Sequence, residues 1–310
     1  MRVGIVGAGM AGLACAEGLA GLGCEVALID KGRGPGGRMS TRKLATPEGE
    51  AAFDHGAQYF TVRDAAFRRR VEAWLTASVV ARWPAAGDDA FVGTPGMNAP
   101  VREMAARQRV VWSTRVAKLE PKPGGWRLAA QTGEPIDVDA VVIATPAEQA
   151  AELLAGVAPD LAARARSAPS QPCWTLMLAF AGRVEGEDCG RGDGVIGWAA
   201  RNNSKPGRAG PESWVVQAGP DWSRTHMEDD PATVSLALKQ AFAEGRAPLP
   251  PILAEDVHRW RFARSGAEGS GAIWDAERRL GICGDWLIGP RVEAAWLSGT
   301  ELAAKICARI

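Results

Sequence analysis

The chain has 310 residues, enough for about two domains of roughly 150 residues each and for a core that needs no disulfide or metal staple. Lys plus Arg and Asp plus Glu are both 36, and that balance argues against a nucleic-acid partner, because binders of phosphate backbone carry a clustered basic excess. Two biases call for an explanation: 37 glycines, where average usage of about 7% would give about 22, and 12 tryptophans against a single tyrosine.

From Met1 the apolar run is broken by glycine at once, so the start reads as a strand and not as an export signal. No stretch of about 18 apolar residues follows anywhere, which leaves no membrane span. The six cysteines are scattered without CxxC spacing, as expected of reduced thiols in a cytoplasmic protein with no metal site. Arg2 to Val6 is a β-branched run ending at Gly7-Ala8-Gly9-Met10-Ala11-Gly12. Leu13 to Leu22 has helical spacing, and Val26 to Ile29 is a second apolar run closed by Asp30. This is strand, glycine turn, helix, strand, acid. Gly7 permits the turn, Gly9 lets backbone approach a pyrophosphate, and Gly12 lets the helix lie close on the sheet with its N-terminus toward the phosphates. Asp30 is placed to accept from adenosine ribose hydroxyls. Either NAD or FAD satisfies this pattern.

A second glycine-rich, basic loop follows, Lys31-Gly32-Arg33-Gly34-Pro35-Gly36-Gly37-Arg38-Met39. It resembles the segment of the flavin amine oxidase superfamily in which a glycine doublet and an arginine lie against the FAD pyrophosphate. Asp54-His55-Gly56-Ala57-Gln58-Tyr59-Phe60-Thr61 is similar to the stretch beneath the flavin ring in the renalase branch of that superfamily. Val116, after Ser113-Thr114-Arg115, resembles the valine whose backbone meets the adenine, and Asp139 to Pro146, with Thr145, resembles a later strand and turn near the cofactor. Gly281-Ile282-Cys283-Gly284-Asp285-Trp286, then Val292 to Gly299, resembles the third FAD segment: a Gly-Asp pair on the ribityl chain and a helix N-terminus toward the flavin pyrimidine, where its dipole favours negative charge. Gln171 to Trp174, Asn202 to Arg208 and His258 to Phe262 resemble bacterial renalase-like proteins. His55 departs from the aliphatic residue usual there. Cys283 lies where a flavin thioether would form, but it reads as a buried core thiol.

The resemblance implies an α/β fold: a Rossmann-type FAD-binding domain (residues 1–61, 96–164 and 271–310) and an inserted α+β substrate domain (62–95 and 165–270). The insert reads as a mostly antiparallel sheet, with strand-like runs Trp174 to Phe180, Gly194 to Ala199, Ser213 to Ala218 and Ile252 to Phe262, and a helix over Pro231 to Glu244. FAD is the implied cofactor, with Gly7, Gly9, Met10, Ala11, Gly12, Asp30, Lys31, Gly36, Gly37, Arg38, Met39, His55, Gly56, Ala57, Gln58, Val116, Thr145, Gly284, Asp285 and Val292 along it.

The implied reaction is oxidation of isomeric dihydronicotinamide forms of NAD(P), with oxygen giving hydrogen peroxide. Such a substrate needs a flat aromatic slot and little acid–base help. Tyr59, Trp260, Trp286 and Trp296 are the aromatic candidates, Trp286 first because it follows Gly284-Asp285. Gln58, Thr61, Asn202 and His258 are candidates for the carboxamide; Arg201, Lys205, Arg208, Arg261 and Arg291 for phosphates. Two rival readings remain open: a flavin amine oxidase or desaturase acting on an amine or hydrophobic substrate, and a non-catalytic dinucleotide-binding module.

Overall fold

The computed structural model describes residues 1–308. Val3, Ile5 and Val6 are buried on both faces of β1 (Arg2–Val6), as a strand inside a covered parallel sheet requires. α1 (Met10–Ala20) follows, apolar nearly all round, then β2 (Glu25–Ile29) and the hairpin β3 (Thr41–Thr46) and β4 (Gly49–Asp54). Next come α2 (Ala65–Thr76), capped by Asp64, the short pair β5 (Val80–Arg82) and β6 (Phe91–Gly93), α3 (Ala99–Ala106) and β7 (Val110–Val111). β8 (Val116–Lys122), β9 (Gly125–Ala130) and β10 (Ile136–Val138) form a meander that returns to β11 (Ala140–Ile143), α4 (Ala147–Leu154) and α5 (Pro159–Arg166). The second half holds β12 (Gln171–Phe180), β13 (Cys189–Arg191), β14 (Ile196–Arg201), β15 (Glu212–Ala218), α6 (Pro220–Thr225), α7 (Pro231–Ala243) and β16 (Ile252–Arg264). β17 (Ile273–Asp275), β18 (Leu280–Ile282) and α8 (Val292–Cys307) end the fold.

Two sheets organise the molecule. One has six strands in the order β17-β18-β11-β1-β2-β7, parallel except for β17, and draws on residues far apart in the chain. The other is antiparallel, β13-β14-β15-β12-β16, and comes wholly from the second half. On one face of this second sheet Trp174, Leu176, Leu178 and Phe180 pack with Val234, Leu238 and Phe242 of α7. On the other face Met177, Ala179 and Val215 pack against Ala51 and Phe53 of β4. The antiparallel sheet and the helix at Pro231 agree with the sequence reading, and Asp230 caps that helix by accepting from Ala232 N. Residues 62–95 do not stand apart from the half built on the parallel sheet. Val62, Phe67, Val71 and Trp74 share one apolar cluster with α1 and α8, so a boundary at residue 61 runs through packed core.

Candidate active-site cleft

The glycine turn after β1 is shaped by contact distances. Gly7 has φ +107°, and its carbonyl lies so near Gly12 that a Cβ there would sit 1.9 Å from it. Only glycine lets α1 start this close to the sheet. A Cβ on Gly9, in contrast, would meet no atom within 4 Å, which leaves an open cradle before the helix. The first N–H groups of α1 have no intrahelical partner, and Gly9, Met10 and Ala11 line the cleft that they face. The buried Thr145 hydroxyl, also on the cleft, has no hydrogen-bond partner among the described residues. Open backbone, free donors and a spare hydroxyl fit an extended pyrophosphate-bearing cofactor.

Asp30 does more than the ribose role expected of it. Its Oδ2 accepts from Ala8 N at 2.7 Å and its Oδ1 from Gly32 N at 2.6 Å, so the carboxylate ties the two glycine loops together. Each oxygen keeps a lone pair for a ribose hydroxyl. Lys31 is exposed, and partial desolvation with the neighbouring Arg115 charge lowers its pKa. Thr114 N donates to Asp30 O and Ser113 N to Gly32 O, which brings Val116 beside this corner with its side chain buried.

Gly36, Arg38 and Met39 line the cleft, but the arginine is not free. Its guanidinium makes a two-pronged pair with Asp285, at 2.9 and 2.6 Å, and Ser265 Oγ donates to the same carboxylate at 2.8 Å. Arg38 and Asp285, expected to serve the pyrophosphate and the ribityl chain separately, are here one unit joining the second glycine loop to the loop after β18. Gly284 stands between them and α8: its N–H donates to Ser298 Oγ at 2.9 Å, and Val292 opens the helix on the cleft wall.

The segment after β4 threads beneath the cleft. Ala57 N donates to Arg38 O at 2.8 Å, and a Cβ on Gly56 would fall 2.1 Å from that oxygen, so glycine is required for the approach. Below lies a buried polar cluster. Asp54 accepts from Lys205 Nζ at 3.2 Å, Arg208 Nη2 at 2.6 Å, Thr41 Oγ1 at 2.7 Å and Met97 N at 2.9 Å. The two cations and these hydrogen bonds hold its carboxyl at about 2 despite full burial. Burial draws Lys205 down to about 8. The lysine's other donors go to Gln58 Oε1 at 3.1 Å and Asn202 Oδ1 at 3.2 Å. Gln58 Nε2 donates to Asp54 O and Gly56 O, so its amide is fully engaged.

This placement corrects several expectations. Gln58 reaches the cleft wall, yet its amide is committed to the protein and not free for a substrate carboxamide. Asn202 is fully buried, holding Ala52 O and Asp54 N, and Lys205 and Arg208 are internal ions with no access to substrate phosphate. Arg201 is likewise buried and paired with Asp188 and Glu212, and Arg261 pairs with Glu228. Trp286 has no exposed surface. The helical turn at Asp285–Leu287 swings its ring into the core, where Nε1 donates to Thr145 O at 3.2 Å. Trp296 packs on Phe67 at 5.5 Å, away from the cleft lining. His258 lies behind Trp260, edge-on at 4.4 Å, with Nδ1 3.2 Å from Arg42 Nη2. His55 stacks on Trp260 at 5.1 Å, and Trp260 Nε1 donates to His55 O at 2.8 Å. Burial and nearby positive charge lower both histidines to about 4. Cys283 is buried against Cys15, outside the cleft.

The structure brings Tyr59, Thr61, Trp260 and Arg291 together on a cleft of about 740 Å³. It adds residues the sequence reading passed over: Trp198 and Gln217 from the antiparallel sheet, Cys173, whose thiol burial pushes up to about 11, and Arg63, Arg191 and Arg264. Alternation within a strand signals which residues share a face, but nothing in the sequence says which face meets the other sheet. The lining holds five arginines (Arg38, Arg63, Arg191, Arg264 and Arg291) and one carboxylate, Asp285, already paired.

A family model for an NAD(P)-binding Rossmann-like domain matches residues 5–73, and one for flavin containing amine oxidoreductase matches residues 73–307. The chain therefore belongs to the flavin-containing amine oxidoreductase family, an FAD-dependent class of oxidoreductases. The hydroxyneurosporene desaturase of Rhodobacter capsulatus is 35% identical over 154 residues, which cover 41% of this chain and 30% of that enzyme. The match thus spans under a third of the relative's length. Among solved structures, a protein assigned as a protoporphyrinogen oxidase from Exiguobacterium sp. 255-15 superposes with TM-score 0.77 at 12% identity, covering 100% of this chain and 99% of its own. Cyclohexylamine oxidase from Brevibacterium oxydans gives 0.71 at 14%, covering 99% and 98%. At such identities the likeness is one of fold.

Proposed function

We propose that this oxidoreductase oxidises isomeric dihydronicotinamide forms of NAD(P), in the manner of renalase. The observation that carries the reading is the charge and shape of the cleft: Arg38 and Arg291 are paired with Asp285 and Glu293, Arg63, Arg191 and Arg264 pair with no carboxylate among the described residues, and Tyr59, Trp198 and Trp260 give aromatic walls. A substrate ammonium would meet repulsion and no free carboxylate. A long polyene would desolvate Arg63, Arg191 and Arg264, which pair with no carboxylate among the described residues. A planar ring carrying phosphates suits both features.

FAD, when bound, supplies the hydride acceptor and afterwards a route for electrons to oxygen. The residues of this chain bind and orient. Gly9 to Gly12 and the N-terminus of α1 would hold the pyrophosphate, with Asp30 on the adenosine ribose and Val116 near the adenine. Arg38 and Asp285, locked together, fix the loop beside the ribityl chain. The Gly56–Gln58 backbone, held from below by Lys205, forms the floor, and the N-terminus of α8 at Val292 favours negative charge above it. No side-chain proton transfer is needed, because loss of hydride from a dihydropyridine leaves a stable pyridinium. The balance is one dihydronicotinamide, one O2 and one proton giving NAD(P)+ and hydrogen peroxide. Oxygen consumption with the 2- and 6-dihydro isomers, normal NADH and a panel of amines tests the proposal. It expects uptake with the isomers and one peroxide per NAD(P)+ formed; uptake with amines alone overturns it.

A further inference from the structure

Within the antiparallel sheet, Arg191 of β13 is opposite Trp198 of β14, and Trp198 is opposite Gln217 of β15. Directly opposed residues share a face, and all three line the cleft. They form a strip running inward from the sheet edge: a cation, an aromatic plane, then an amide. Strands lie about 4.8 Å apart, so the strip spans roughly 10 Å.

Each member has free capacity. Arg191 pairs with no carboxylate among the described residues; its neighbour Asp188 is taken by Arg201. Its guanidinium sits 5.3 Å from the Trp198 ring, and Nη2 donates to Tyr59 Oη at 3.1 Å. Those contacts hold the group against the cleft wall and use one of its five N–H donors. Trp198 and Tyr59 stand 5.7 Å apart, centroid to centroid, as adjoining walls. Gln217 Nε2 donates to Gly56 O at 2.8 Å, which fixes the amide against the cleft floor. Its Oε1 and one N–H remain available.

We infer that this strip is a subsite for one nucleotide unit of the substrate, with Gln217 reading a carboxamide, Trp198 the ring and Arg191 the phosphate one pentose away. The inference rests on the dihydronicotinamide reading and makes it narrower: the phosphate next to the reacting ring is a required element, and Arg191 is the residue that recognises it. A planar guanidinium with free paired donors suits a phosphate oxygen pair better than a lysine would.

The test uses the flavin-loaded protein in two arms. In the first, nicotinamide mononucleotide and nicotinamide riboside, which differ by the phosphate alone, are titrated and followed by the change in flavin absorbance. The mononucleotide should bind at least tenfold more tightly than the riboside. Arg191→Met should erase that difference while leaving riboside affinity within twofold, and Arg191→Lys should restore part of it. Arg191 is exposed, and circular dichroism confirms that each variant is folded. In the second arm the dihydro forms of both compounds are mixed anaerobically with the wild type. Equal binding of the two oxidised compounds, or an unchanged phosphate preference in Arg191→Met, overturns the subsite. A clear preference that Arg191→Met removes, with neither dihydro form bleaching the flavin, upholds the subsite and refutes the proposed reaction instead.

Discussion

At the scale of single residues, the buried ions decide more than the exposed ones. Asp54 anchors two cations with no exposed side-chain surface to spare. Asp54→Asn would leave Lys205 and Arg208 without their counter-charge, and breaking such a pair costs about 3–5 kcal/mol; urea unfolding should read a loss of that size. His55 and His258 set the acid limit. Both are held at about 4 in the folded chain, against 6.5 when free. A depressed pKa means that their contribution is complete above pH 6.5 and is lost as pH falls through 4. The groups facing them are Arg42 and Asp256, with Asp54 adjoining His55. The urea midpoint should stay level from pH 8 to 6.5 and then fall toward pH 4. His55→Gln should reduce that slope by about half. An equal slope in the variant would remove the histidines from the account.

At the scale of elements, the glycines of the first turn separate fold from ligand. Gly12→Ala drives a Cβ into the Gly7 carbonyl, and forced overpacking of backbone should cost about 3 kcal/mol or more. Gly9→Ala meets open space and keeps an ordinary φ of −81°. Its stability should be within about 0.5 kcal/mol of wild type, while FAD affinity falls at least tenfold because the methyl fills the cradle. Thermal unfolding of both apoproteins with a flavin titration checks the pair; a Gly9→Ala protein that binds FAD normally would move the pyrophosphate elsewhere. These elements were also the most legible in sequence. Strand, glycine turn, helix and acid are local, so spacing reveals them, and so are the apolar, strand-like runs that became β12, β14, β15 and β16. Trp286 illustrates the opposite. Adjacency to Gly284-Asp285 suggested a place on the cleft, but a three-residue turn points the ring inward, and one-residue differences in turn geometry leave no trace in composition. Lys205 and Arg208 read as candidates for substrate phosphates because their partner, Asp54, lies some 150 positions away.

At the scale of the whole molecule, a chain of zero net charge concentrates five arginines against one acid in a single cleft. That segregation, invisible in the totals, joins the FAD-binding half to an antiparallel sheet whose inner face is aromatic and basic. The glycine excess is divided between close backbone approaches such as Gly12, Gly56 and Gly299 and open turns of positive φ such as Gly87 and Gly124. The tryptophan excess is divided, with Trp174, Trp214 and Trp286 in core and Trp198 and Trp260 on the cleft. The most direct measurement is anaerobic mixing of the yellow holoprotein with the 2- and 6-dihydro isomers of NAD(P), with normal NADH and with amines, followed at the flavin band. The account predicts rapid, stoichiometric bleaching by an isomer, with NAD(P)+ as product, and none by amines. Bleaching by amines alone would contradict it.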